Sequence, residues 1–251
     1  MSRATTIQEV LHQLDTIIDE SIANNSRIGL FAYIYRRTTA EIASEIALGN
    51  FEDNQRLEVL DVAFANLYLD AYNAYQNGQP LSAVWAFAFD HADEPLTILQ
   101  HIMLGMNAHI NLDLAISTAV TMSGKDITSI ENDFNKVNDI LFQITNELQD
   151  RLSRVSPLMF FLDWFGSNKD EEVIDFSMRK AREQSWNSAN LLWSLGGSNN
   201  ENAIKKIDQL VLLISERIKS PRSRIVRFVL KVMQTFETKQ VNSIITKLKA
   251  A

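Results

Sequence analysis

Residues 95–120 read PLTILQHIMLGMNAHINLDLAISTAV. Apolar residues recur at spacings of three and four along this run, the period of a helix. Three of the four histidines lie in it or just before it: His91, His101 and His109. Asp113 follows His109 by four residues. The remainder is almost wholly apolar, so a helix here carries imidazole and carboxylate groups into an interior. On a regular helix, four residues amount to about 40° of rotation and about 6 Å of rise. That spacing lets Asp113 orient the His109 ring, or lets both side chains share one ion. His101, eight residues earlier, falls on the same broad side but about 12 Å further along. Gly105 lies between the two histidines. A helix-interior glycine costs roughly 1 kcal/mol against alanine. Its lack of a side chain serves either a bound ligand or a close helix–helix approach.

The same period extends outward in both directions. Upstream, NQRLEVLDVAFANLYLDAYNAYQ (residues 54–76) places Leu57, Leu60, Asp61, Phe64, Ala65, Tyr68 and Tyr72 on one side of a helix. Asp61 thus sits among apolar neighbours on an inward face. A buried carboxylate is costly unless it is paired, hydrogen-bonded or metal-bound, so Asp61 requires a partner. Asn77-Gly78-Gln79-Pro80 is a turn, followed by an aromatic-rich helix from Leu81 to about His91 that holds Trp85, Phe87 and Phe89. Two earlier helices are expected over Thr5–Ala23 and Ile28–Leu48, the second ended by Gly49-Asn50. In the first, Val10, Leu14, Ile17, Ile18 and Ser21 trace the inner face, with His12 off it. In the second, Arg37 and Glu41 have the spacing of a surface ion pair.

Downstream of the 123–126 turn, helices are expected over Ile127–Arg154, Glu171–Leu195, Glu201–Lys219 and Pro221–Ala250. A short apolar segment, LMFFLDWFG (158–166), separates the first two of these. On the Glu171–Leu195 helix, Met178, Ala181, Arg182, Ser185, Trp186, Ala189, Leu192 and Trp193 fall toward an inner side. Four prolines and eight glycines, placed mainly between periodic segments, complete an all-α reading. The simplest partition is a single bundle-like domain over 1–251, with about eight to ten helices.

Composition narrows the function. Of 251 residues, 46% are hydrophobic and 22% charged, ordinary globular usage. A net charge of −7 opposes binding to a phosphate backbone, so nucleic acid is not an expected partner. Absence of cysteine removes thiolate ligands, disulfides and cysteine nucleophiles. The first fifteen residues lack the apolar core of a secretory signal, and no run suits stable membrane insertion. A cytoplasmic protein is expected, acting on a small molecule; the oligomeric state is left open.

The chemistry must then come from nitrogen and oxygen donors. His101, His109, Asp113 and Asp61 form the candidate metal set, suited to zinc, iron or manganese. His109 and Asp113 are the candidate catalytic pair. Gly105, Tyr68, Tyr72 and Trp85 are candidate substrate-binding positions. A metal would activate water for hydrolysis; without one, the pair is an oriented general base. Against this metal-dependent enzyme stands a non-catalytic reading, in which the same residues form a buried polar network that binds a small molecule or a partner. HExxH, the paired Glu-x-x-His of di-iron bundles, the nucleophile elbow, and the P-loop and Rossmann glycine patterns are all missing from the sequence.

Two stretches, FANLYLDAYNAY (64–75) and LGMNAHINLDLA (104–115), resemble a bacterial helical protein family of unknown function. YRRTTAEIASEI (35–46) and NFEDNQRLEVLD (50–61) extend the likeness toward the N-terminus. The resemblance implies a helical fold and emphasises His101, Asn107, His109 and Asp113, which adds Asn107 to the substrate-binding candidates; it brings no established activity. A weaker similarity, at His91-Ala92-Asp93-Glu94-Pro95, is to helical zinc-dependent phospholipases C and nucleases.

Overall fold

Capping hydroxyls and left-handed glycines set the helix ends through the first part of the chain, and the run expected to be helical from Pro95 becomes so only at Ile98. The computed structural model describes residues 2–156 and 178–250, apart from the side chains of residues 142–146, 148, 149, 178, 179 and 198. Helix α1 (Ile7–Ala23) begins after Thr6, whose hydroxyl accepts the Glu9 N–H. Helix α2 (Ile28–Ala47) stops just before Gly49, which takes a φ of 75°. Helix α3 (Asn54–Gln76) is capped by the Asp53 carboxylate and ends just before Gly78, at a φ of 61°. Both glycines occupy the left-handed region where a side chain is penalised. Ser82 caps α4 (Ala83–Asp90). Thr97 and Gln100 form a reciprocal capping box at the start of α5 (Ile98–Ala108).

Two expected helices are interrupted. The 95–120 run is not one regular helix. After α5 it opens into a π turn over His109–Asp113, where the Leu114 N–H donates to the His109 carbonyl, five residues back. It then resumes as α6 (Leu114–Thr121). The C-terminal stretch forms α10 (Arg224–Phe236) and α11 (Val241–Lys249) instead of a single helix. No proline or glycine marks that break. Its cause is tertiary. Glu237 turns inward, where its carboxylate accepts the Ile98 N–H at 2.8 Å and the Ser156 hydroxyl at 2.6 Å. The Val241 N–H donates to Asn25 Oδ1.

Between these lie a 3₁₀ turn (Ile127–Ile130), α7 (Glu131–Val155), α8 (Met178–Leu195) and α9 (Asn200–Lys219). Among the described residues there are thus eleven α-helices and no strand. The LMFFLDWFG segment and the start expected at Glu171 lie outside the described residues.

The inner face read for α1 is buried as expected, from Val10 to Ser21, while His12 is exposed. Helix α1 packs along α2, α3 against α6, α6 along α8, and α9 across α4 and α5. Arg37 pairs with Glu41 and also with Glu147 of α7, at 2.8 Å each. These partly exposed pairs contribute little.

Carboxylates far along the chain cap three of the early helices. Buried Asp133 of α7 accepts the N–H groups of Glu52 and Asp53, at 2.7 and 3.0 Å, just ahead of α3. Asp208 of α9 accepts those of Ala83 and Val84 at the start of α4. Glu237 does the same for α5. A helix start leaves N–H groups unsatisfied and carries a partial positive charge, so a carboxylate is a matched partner there. Through these contacts the C-terminal half fixes the elements that carry the candidate site.

Candidate functional site: a buried histidine in an aromatic box

The π turn is the centre of the site. All five of its residues are buried, His109 at 2% exposure and Asp113 at 3%. A widened turn shifts side chains relative to a regular helix and is often found where a site is built. His109 Nδ1 lies 2.9 Å from Asp113 Oδ2. The Trp85 indole N–H donates to the same oxygen, also at 2.9 Å. Asp113 therefore ties the imidazole to α4, and its Oδ2 is fully engaged.

Aromatic rings enclose the imidazole. Phe64 of α3 stacks on it, with centroids 3.6 Å apart and planes 9° off parallel. Tyr35 of α2 meets it edge-on at 4.3 Å. Phe31, Tyr68 and Trp85 complete the box at 5.7–6.2 Å. Helices α2, α3 and α4 thus each supply a wall.

The outer nitrogen, His109 Nε2, is buried and has no hydrogen-bond partner among the described residues. The same is true of the Tyr68 hydroxyl and Asp61 Oδ2; the Tyr35 hydroxyl and Thr39 face one another, and a hydrogen bond between them opposes the rise of the phenol pKa. Tyr35 and Tyr68 both touch the His109 ring, and the Asp61 charge acts on Tyr35. Each unpaired buried polar group costs about 1–3 kcal/mol. Three of them together would take a sizeable part of the stability of a typical domain, about 5–15 kcal/mol. Groups so placed need partners in the folded molecule.

Electrostatics follow from burial. It drives His109 well below its ordinary value, so the imidazole is neutral near pH 7. It drives Asp113 well above the usual carboxylate range, against the pull of the Trp85 N–H. Asp61 is pushed up to about 7 by burial, with Arg182 holding it lower and Glu58 raising it. Arg182 of α8 acts on Asp61 through its charge, while Asp61 Oδ2 keeps no hydrogen-bond partner among the described residues. The Arg182 value itself drops to about 10 through burial, with Asp61 acting the other way. The guanidinium donates to the Phe134 carbonyl at 2.8 Å and lies over the Phe134 ring. Burial, then the Asp61 charge, raises the Tyr35 phenol well above its usual value, and Thr39 opposes this.

The other sequence candidates fall elsewhere. The small crevice beside His101 is lined by Arg27, Phe31, Trp85 and Gly105. Burial and the Arg27 charge lower its imidazole to about 3. Gly105 faces Phe31, and an added Cβ would stand 2.7 Å from Phe31 Cβ and closer still to the ring. The room beside it is taken by α2, the close-packing alternative. Asn107 ties the central run to α9, donating to the Val211 carbonyl and Ser215 Oγ at 2.9 Å each. It also accepts from Asn111. Tyr72 donates to Glu20 beside a surface hollow of about 690 Å³, away from the imidazole.

Among the described residues no group of three or more histidine or carboxylate side chains could hold a metal ion. His101, His109, Asp113 and Asp61 all lie within them; His109 and Asp113 meet, and neither of the others joins them in such a group. At Asp113 the Trp85 indole N–H already points at Oδ2.

Sequence reasoning missed Tyr35, Phe31 and Thr39 as site residues and placed Phe64 only on an inner face. The aromatic density of FAYIY (31–35) was the available signal.

The model of one family, described as a family of unknown function (DUF5995), matches residues 7–221. No curated protein and no solved structure matches the chain.

Proposed function

Since the chain belongs to the DUF5995 family of unknown function, we propose its role from the site: a small-molecule-binding protein whose ligand is held in the aromatic box against His109. The observation that carries this reading is one oriented imidazole whose buried Nε2 has no partner among the described residues, with the equally unpartnered Tyr68 hydroxyl on a ring that lines the same box. Aromatic walls with a few convergent polar groups are the usual make-up of a ligand site. The ligand class that matches is small, flat and partly apolar, with polar groups at its edge for His109 Nε2 and the Tyr68 hydroxyl.

The His109–Asp113 contact favours a second reading, proton transfer. An imidazole whose inner nitrogen is held by a carboxylate presents its outer nitrogen as a general base. Asp61, with a value of about 7, supplies a second proton-exchanging group for such chemistry. Metal-assisted hydrolysis has less support, because its ligand set does not assemble.

Native mass spectrometry of the purified protein tests the binding reading. Wild type is expected to carry a small-molecule adduct that denaturation releases, and His109→Gln to carry much less at unchanged secondary structure. Equal adduct on both proteins, or none on either, would contradict the assignment.

A further inference from the structure

Eleven large hydrophobic side chains of the described residues are exposed, and six of them lie between Leu210 and Phe236. Two of the six are phenylalanines, Phe228 and Phe236, each 68% exposed. Both belong to α10, whose sequence RIVRFVLKVMQTF (224–236) divides into three stripes at helical spacing. Val226, Val229 and Met233 are buried and seat the helix. Ile225, Phe228 and Phe236 form an outer apolar ridge, with Val232 between them. Arg224, Arg227 and Lys231 run beside that ridge as a basic row, and all three are exposed.

None of these three cations has a carboxylate partner among the described residues. Arg227 donates to the carbonyls of Pro221 and Arg222. Residues 200–231 carry eight basic against three acidic side chains, in a chain of net charge −7. Arg224, Arg227 and Lys231 place positive charge beside the apolar ridge, while Lys205 and Lys219 of α9 are paired with Glu201 and Glu94.

We infer that the outer face of α10 docks on an anionic lipid surface. Phe228, Phe236 and Ile225 would enter the headgroup–acyl boundary, and Arg224, Arg227 and Lys231 would meet the phosphates. An exposed apolar ridge flanked by cations is the pattern of an interfacial helix. The helix has 13 residues, too few to span a bilayer, and no described helix is long and apolar enough to cross one. A symmetric second copy fits poorly, because it would set the basic row of one chain against the same row of the other. A nucleic-acid backbone satisfies the cations but leaves both phenylalanines in water.

Co-sedimentation of the full chain with phosphatidylcholine vesicles, with and without phosphatidylglycerol, tests this. Wild type is expected to pellet with the anionic vesicles and remain in solution with the neutral ones. High salt should weaken the binding. Arg224→Glu/Lys231→Glu is expected to bind at least ~20-fold more weakly, the effect of losing two surface cations near an anionic membrane. Phe228→Ser/Phe236→Ser should also release the protein. All four side chains are exposed, so melting temperatures should remain near wild type. Equal binding of either variant, absence of binding to anionic vesicles, or a concentration-dependent dimer without vesicle binding would overturn the inference.

Discussion

At the scale of single residues, the site depends on how burial sets charge. Asp61 is the clearest case, being buried, lifted to about 7 and only partly offset by Arg182. Its folded value lies above its unfolded one, so between about pH 4 and 7 the folded state binds more protons. Its contribution is therefore fully present below pH 4 and is lost as pH rises through about 7, by about 1.4 kcal/mol per pH unit. Asp61→Asn removes this titration. The variant is expected to be more stable than wild type at pH 8 and to lose that advantage toward pH 4. Urea unfolding at the two pH values measures it. An advantage that grew on acidification would show that Arg182 dominates and that the carboxylate stays ionised. Sequence made Asp61 legible as an inward carboxylate needing a partner. Arg182, over a hundred residues away, was visible only as a position on an inner face, because no local pattern says which helices meet.

At the scale of elements, helix ends were readable where the chain stops itself with a glycine. Gly49 and Gly78 end their helices as expected, whereas the central helix starts after Thr97 and not at Pro95. The π turn and the α10–α11 break were not readable. HINLD has an ordinary helical composition, and ETKQ (237–240) contains no breaker. In the second case contacts to distant groups replace helical ones, as the inward Glu237 shows. Remote capping is equally invisible in a local reading. Asp208→Ala removes the acceptor of two N–H groups at the start of α4 and is expected to cost about 0.5–2 kcal/mol. Chemical denaturation reads that loss, and a neutral result would remove α9 as the cap of α4. Gly105→Ala sets two effects against each other. Alanine gains about 1 kcal/mol in helix propensity, while its Cβ collides with Phe31 between α5 and α2. Overpacking of this kind costs about 1–3 kcal/mol, and the collision involves the root of the ring rather than a flexible end. Net destabilisation is expected in the same assay; a stabilised variant would mean that α2 yields easily.

At the scale of the whole molecule, the C-terminal helices complete the core rather than decorate it. The family model ends at residue 221, yet Val241, Ile244, Ile245 and Leu248 of α11 are almost fully buried. The Tyr33 hydroxyl donates to the Leu248 carbonyl, and α11 packs on α7, α1 and α2. Burying four such side chains stabilises by about 1.5–3 kcal/mol each, a sum comparable to the whole stability of a typical domain. A chain cut after Gln240 is therefore expected to lose cooperative thermal unfolding. A sharp melt within a few degrees of wild type would show that α11 is dispensable. The all-α class was legible from periodicity alone. The aromatic box was not, because Tyr35, Phe64, Trp85 and His109 come from four stretches that only packing brings together.

The central claim is that His109 Nε2 contacts a bound small molecule inside that box. A high-resolution crystal structure of the protein as purified tests it most directly, through the density at that nitrogen. The account predicts a non-protein molecule larger than water, within hydrogen-bonding distance of Nε2 and at least one of the Tyr35 and Tyr68 hydroxyls. Ordered waters alone, bridging Nε2 to those hydroxyls and Asp61, would contradict it and leave a structural polar network.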